Sequence, residues 1–226
     1  MHVLQCIRTV CISSILLMAA TACGGANTGS DPGSAGSGSE PKLQLQDIVI
    51  GDPNASLTLI EYASWTCGAC LDFHTRIMPT IKADYIDTGK INLVFREFPT
   101  APANLSVAGF VLARCAGEAA YSDVVDELFS RQAAFITLAR NGDQVTEALK
   151  QVGANHGVSG EGAYEACMQD KANRDAIRAS IAAARAKDVT ATPTFVMNGE
   201  IVPISTHLSA ETFSAYLDSA LAQSNP

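Results

Sequence analysis

Two periods of apolar spacing alternate along this chain. From Leu57 to Ala63, Leu57, Leu59, Glu61 and Ala63 share one face while Ile60 and Tyr62 share the other. Both faces are largely apolar, which predicts a central parallel strand buried on both sides. Beyond Thr66, Cys67, Cys70, Leu71, His74, Ile77, Met78 and Ile81 recur at steps of three and four, the spacing of a helix pressed on a sheet. Pro79 interrupts that helix, which resumes to Ile86. Thr88-Gly89-Lys90 is a turn, and Ile91 to Phe98 is the next strand. The three elements form a β-α-β unit, hence a parallel pair with a right-handed crossover. Upstream, Ile48 to Ile50 predicts an edge strand, and Gly51-Asp52-Pro53-Asn54 carries turn chemistry.

From Ala101 to about Lys187 the period is helical throughout, with helices predicted over Leu105–Ala116, Ala119–Ala134, Gln144–Val152 and, with a break, Gly162–Ala186. Strand pattern returns at Thr194–Met197. Asn198-Gly199 is a type I′ hairpin signal, and Glu200–Ile204 is the antiparallel partner, with Pro203 suited to an edge. Ser209 caps a last helix running to about Gln223, with Glu211 in its first turn. Strands on both sides of the helical block predict an insertion into one α/β domain rather than a separate helical domain.

The first 22 residues read differently. A short polar start with Arg8 precedes an apolar run from Val10 to Ala20, the h-region of an export signal and too short to span a bilayer. Ala20-Thr21-Ala22 is a cleavage site, and Cys23 follows it. Ala-Thr-Ala-Cys resembles a bacterial lipobox with Ala20 in place of the usual Leu, so Cys23 is the expected lipid-bearing residue, with ordinary secretion as the alternative. Gly24 to Pro41 is Gly, Ser, Ala, Asn and Asp with almost nothing to bury, a flexible tether. The remaining segment, 42–226, is long enough for one domain with a sizeable core. The net charge of −8, without an Arg/Lys run, makes nucleic acid a poor partner.

The chemistry is concentrated at Cys67 and Cys70. A cysteine at a helix start meets unpaired amides and the positive end of the macrodipole, both of which favour a thiolate. Cys67 is therefore the nucleophile and Cys70, one turn deeper, its partner. A zinc site needs two further ligands, and no second CxxC or closely spaced His pair supplies them. No metal or other cofactor is expected.

Beyond the cysteines, Gly-Asp-Pro-Asn-Ala (51–55), Glu-Tyr-Ala-Ser-Trp-Thr-Cys (61–67), Phe-Arg-Glu-Phe-Pro (95–99) and Ala-Thr-Pro-Thr-Phe-Val-Met-Asn-Gly (191–199) stand in order. Over about residues 46–222 the chain resembles the DsbA-type thiol:disulfide oxidoreductases of the thioredoxin superfamily. The resemblance implies a thioredoxin-like mixed sheet with an inserted all-helical subdomain at about 101–187. It implies a cis Thr192-Pro193 loop facing the cysteines and binding substrate backbone. It places Glu61 as a buried acid beneath Cys70, able to exchange a proton with it, where an exposed strand-end acid is the plainer reading. His74 tunes the site or is a hydrogen-bonded core histidine. Cys115 and Cys167 lie on apolar helix faces as two core cysteines or, as in some relatives and as an oxidising compartment favours, as a structural disulfide. Between the active cysteines stand Gly68 and Ala69, where oxidases of this type often carry Pro-His, so no imidazole helps hold the thiolate.

The expected protein is an exported, cell-envelope or periplasmic, monomeric oxidoreductase. It introduces disulfides into reduced secreted proteins, is reoxidised by a DsbB-type membrane quinone reductase, and is held to the membrane through a lipid on Cys23. A reductase or isomerase on the same scaffold is the enzymatic alternative, and a non-catalytic lipoprotein that binds metal or unfolded polypeptide is another.

Overall fold

The computed structural model describes residues 47–142 and 144–224. The expected export signal at 1–22, the expected lipid-bearing Cys23 and the expected tether through residue 41 lie outside them. Five strands form one sheet: β1 (Ile48–Ile50), β2 (Leu57–Ala63), β3 (Ile91–Glu97), β4 (Thr194–Met197) and β5 (Glu200–Ile201), in spatial order β1-β3-β2-β4-β5. Only β2 and β3 run parallel, in the register Leu59 to Leu93 and Glu61 to Phe95; β4 pairs antiparallel with β2 and sets Phe195 opposite Glu61. The crossover between β2 and β3 is α1 (Gly68–Arg76), α2 (Met78–Ile81) and a π-helical turn over Lys82–Ile86. The break between α1 and α2 falls just before Pro79, which sits in the first turn of α2, where its missing N–H costs no hydrogen bond.

Each face of the sheet has its own cover, which is why β2 is apolar on both sides. Leu57, Leu59, Phe195 and Met197 pack on Phe73, Ile77, Ile81, Phe213 and Leu217, from the crossover and from α9 (Ala210–Ser224). Ile60, Tyr62, Val94 and Val196 pack with Ala184 of α8 (Lys171–Ala186). Between β3 and β4 the chain forms α3 (Ala103–Cys115), α4 (Glu118–Ser130), α5 (Gln132–Asn141), α6 (Val145–Asn155), α7 (Ala163–Gln169) and α8. This insert has a core of Phe110, Leu112, Val124, Leu128, Phe135 and Leu149 that also takes in Ala63, Trp65 and Cys70. Burying one such large side chain stabilises the fold by about 1.5–3 kcal/mol, so the insert and the redox segment share a substantial part of their stability.

Beyond shifts of one to three residues at element ends, two elements differ from the sequence expectation. The helix predicted over Ala119–Ala134 is two helices, because Arg131 leaves helical geometry at φ −104° and ψ 6°. Its N–H closes α4 on Glu127 O, and its carbonyl opens α5 by accepting from Phe135 N–H; no glycine or proline marks the place. The second hairpin strand ends at Ile201 rather than Ile204, and Ile204–His207 is a 3-10 turn. Pro203 has no N–H for a ladder bond there, and Val202 makes the last backbone bond, to Phe195 O at 2.8 Å. The expected break within Gly162–Ala186 falls at Asp170, whose carboxylate accepts from Asn173 N–H at 2.8 Å as the cap of α8. Asn198 and Gly199 take positive φ of 52° and 83°, as the hairpin signal requires.

Candidate active site

The site lies where β2 gives way to α1. Ser64, Trp65 and Thr66 bridge the two elements, and Cys67 is the N-cap of α1 with extended backbone, φ −86° and ψ 127°. Its N–H donates to Ser64 O at 3.0 Å, and its carbonyl accepts from Leu71 N–H at 3.1 Å. Beneath the loop is a buried hydroxyl cluster: Ser64 Oγ lies 2.9 Å from both Thr66 Oγ1 and Ser106 Oγ, and Thr66 Oγ1 lies 3.0 Å from Thr100 Oγ1. Trp65 is wholly buried, with Nε1 donating to Ser106 O at 2.9 Å and its ring edge-on to Phe135 at 5.5 Å.

The two cysteines have opposite surroundings and are both free thiols. Cys67 is partly exposed, and its pKa is lowered to about 5. The hydrogen bond from the Cys70 thiol is the largest cause, resisted by partial burial and helped by the Thr192 side chain and the amides of Cys70 and Ala69. As a thiol it donates instead to Thr192 O, 3.5 Å away. Cys70 is fully buried and pushed far above the ordinary thiol range, first by donating to Cys67, then by burial and the nearby Glu61 carboxylate. One sulfur is therefore an anion at neutral pH and the other stays protonated.

Glu61 is fully buried, facing inward from β2. Its Oε1 lies 3.1 Å from His74 Nε2, while Oε2 has no hydrogen-bond partner among the described residues. His74, on α1 one turn after Cys70, stacks on Phe129 at 4.3 Å. Burial works against its charged form, but the charge and hydrogen bond of Glu61, with Asp126 beyond, outweigh it and raise the His74 pKa. His74 is thus a buried histidine hydrogen-bonded to Glu61 behind Cys70. The Thr192–Pro193 peptide is cis and faces Cys67. A groove of about 420 Å³ runs past it, lined by Ala69, Phe73, Arg76, Pro193 and Leu208 among others. Cys115 and Cys167 are joined, with Cα atoms 5.9 Å apart, and tie α3 to α7 away from the redox pair.

Sequence reasoning missed Gln132. Its Nε2 donates to Trp65 O at 2.7 Å and to Cys67 O at 3.0 Å. The signal available was a polar residue at an inward step between Phe129 and Phe135. Among the described residues, no group of three or more His, Cys, Asp or Glu side chains is arranged to hold a metal.

Comparison with known proteins bears on the family and the fold. Residues 44–219 match the family model described as Thioredoxin. The chain belongs to the thioredoxin family, as a DsbA-like thiol:disulfide oxidoreductase. It is 30% identical over 184 residues to a Rickettsia bellii protein provisionally named a protein-disulfide oxidoreductase, covering 81% of this chain and 68% of that one. A Rickettsia conorii protein named in the same way is 31% identical, with 80% and 63% covered. This DsbA-like chain therefore spans about two thirds of the length of these two relatives. Among solved structures, alpha-DsbA1 of Wolbachia pipientis superposes with a TM-score of 0.69 at 26% identity, covering 80% of this chain and 94% of that one. BdbD of Bacillus subtilis shares the fold, with a TM-score of 0.55 at 18% identity over 78% and 94% of the two chains.

Proposed function

We propose that this protein is an exported oxidase, anchored through a lipid on Cys23, that introduces disulfides into reduced secreted proteins. The observation that carries the reading is the asymmetry of the pair: Cys67 is an anion above about pH 5, and Cys70 remains a thiol. A substrate thiolate attacks Cys67 of the Cys67–Cys70 disulfide. The new sulfur–sulfur bond forms on Cys67 as the old one breaks, and Cys70 departs with the electron pair and takes up a proton. The substrate's second thiolate then attacks the substrate sulfur of the mixed disulfide, and Cys67 leaves as its thiolate. Two electrons pass from the substrate dithiol to the enzyme, and the substrate gains one disulfide. Low basicity makes Cys67 a good leaving group, which favours the second step.

The roles of the neighbouring residues follow. Thr192 and Pro193 present the substrate segment to Cys67 beside the groove, and Glu61 with His74 forms a hydrogen-bonded pair behind Cys70 from which a proton can be supplied. Reoxidation falls to a quinone-linked membrane partner of the DsbB type, and the protein acts as a monomer. One observation favours a less oxidising enzyme, a reductase or isomerase: Gly68 and Ala69 provide no side-chain donor, so the thiolate relies on Cys70, Thr192 and backbone amides. Its value near 5 lies between about 7 for thioredoxin and about 3.5 for DsbA itself.

The deciding measurement is the reduction potential of the Cys67/Cys70 pair against glutathione. A value towards about −120 mV supports disulfide donation, and one near about −270 mV refutes it in favour of a reductant. Cys67→Ser should abolish exchange altogether; surviving activity would show that the nucleophile lies elsewhere.

A further inference from the structure

Gln132 is a buried polar side chain in an apolar setting. It opens α5, is 6% exposed, and is flanked at steps of three by Phe129 and Phe135, both buried. A buried primary amide destabilises a fold unless its hydrogens find acceptors. Here both do, and both acceptors belong to the redox loop: Trp65 O at 2.7 Å and Cys67 O at 3.0 Å. Since both are carbonyls, only the NH2 end of the amide can face them.

The second of these bonds falls at a sensitive point. No side chain caps α1, and the Cys67 carbonyl makes the first bond of that helix, to Leu71 N–H. The placement of that carbonyl sets the direction in which the first amides of α1 point. Those of Ala69 and Cys70 are among the groups that favour the Cys67 anion. On the other side of the loop, Trp65 is fixed by Ser106 O and by Phe135, again from the insert. The departure from helical geometry at Arg131 is what starts α5 afresh with Gln132 at the loop.

We infer that Gln132 is a positioning residue for disulfide exchange: by tying α5 to the Trp65 and Cys67 carbonyls, it holds the Cys67 sulfur in register with the amides and the Cys70 thiol that stabilise its anion. The inference rests on the assignment of Cys67 as the nucleophile. It gives the helical insert a part in the chemistry, because the redox loop is aligned from outside the thioredoxin sheet.

The test is titration of the Cys67 thiolate by ultraviolet absorbance, together with the rate of exchange with a dithiol peptide. It uses the full chain with its Cys115–Cys167 bridge intact, carrying Gln132→Met or Gln132→Glu. Gln132→Met keeps the length and removes both donors. Losing one hydrogen bond's worth of alignment lowers the thiolate-to-thiol ratio at pH 5 roughly fivefold, and the thiolate population roughly threefold, with a matching loss of exchange rate in mildly acidic buffer. Gln132→Glu, which sets a carboxylate against two carbonyls, causes a larger loss. If both variants melt at lower temperature but titrate and exchange like the parent, Gln132 only supports the fold and the inference is overturned. Should the Met variant not fold, Gln132→Asn, which keeps a neutral amide but is one methylene too short to hold both carbonyls, decides by the same reading. A parent protein whose Cys67 titrates in the ordinary thiol range would defeat the nucleophile assignment instead, which separates the two failures.

Discussion

The opposed environments of the two sulfurs make a quantitative statement about how the reduction potential depends on pH. Reducing the disulfide adds two electrons and as many protons as the reduced pair then binds. Above about pH 5 the reduced form carries a thiolate on Cys67 and a thiol on Cys70, so one proton accompanies two electrons and the potential falls by about 30 mV per pH unit. Below that value Cys67 is also protonated, two protons are bound, and the slope doubles to about 59 mV per pH unit. Cys70, pushed far up by burial and by its bond to Cys67, adds no second break in the accessible range. The measurement is equilibration with a dithiol buffer from pH 4 to 8, read by the fluorescence of Trp65, the only tryptophan of the chain. A single slope of about 59 mV across that range would show that Cys67 is an ordinary thiol, and a flat line above neutrality would show that Cys70 ionises as well. The sign carries over to stability. The folded pKa of Cys67 lies below its unfolded one, so the thiolate stabilises the reduced protein fully above the unfolded value. That contribution disappears as pH falls through about 5, and the melting gap between reduced and oxidised forms should change there.

Three further outcomes are expected. A Cβ at Gly109 would stand 2.4 Å from Trp65 Nε1 and 2.6 Å from Cε2, so Gly109→Ala should destabilise the protein by about 1–3 kcal/mol in urea unfolding and shift Trp65 emission; an unchanged midpoint would show that the ring has room to move. Replacing Cys115 and Cys167 with alanine removes a bridge across 52 residues, which the chain-entropy treatment values at about 4 kcal/mol. The urea midpoint should fall while exchange per folded molecule stays intact, and loss of exchange would tie that bridge to the site. Glu61→Gln should lower the His74 pKa in an NMR titration, because the Glu61 charge opposes the burial that otherwise favours the neutral ring. The raised pKa makes the pair stabilising below the unfolded histidine value and lost as pH rises through the folded one. The melting gap between parent and Glu61→Gln should therefore narrow on going alkaline, and a constant gap would contradict the ion pair.

The redox pair, its helix-start position, the β-α-β unit, the helical insert and the hairpin after Pro193 could all be read from the chain alone. Each rests on local pattern: period two against period three to four, Asn-Gly at a turn, CxxC after an apolar strand. Glu61 could be placed on the inward face of β2 by alternation alone, but not His74 against its carboxylate, since thirteen residues separate them and only the packing of α1 on the sheet closes the gap. The pairing of Cys115 with Cys167 was open for the same reason, because it depends on how α3 meets α7. The break at Arg131 carries no local signal and is decided by how the helices pack around Trp65, whereas the strand end after Ile201 has one in Pro203, which suits a sheet edge but also cannot continue the ladder. Periodicity and turn chemistry act over a few residues and determined the elements. The lowering of Cys67 comes largely from groups two and three residues along α1, as its helix-start position led one to expect; the burial of Cys70, the approach of Thr192 to Cys67 and the hold of Gln132 on the redox loop depend on distances between elements remote in sequence, and only the tertiary structure decided them.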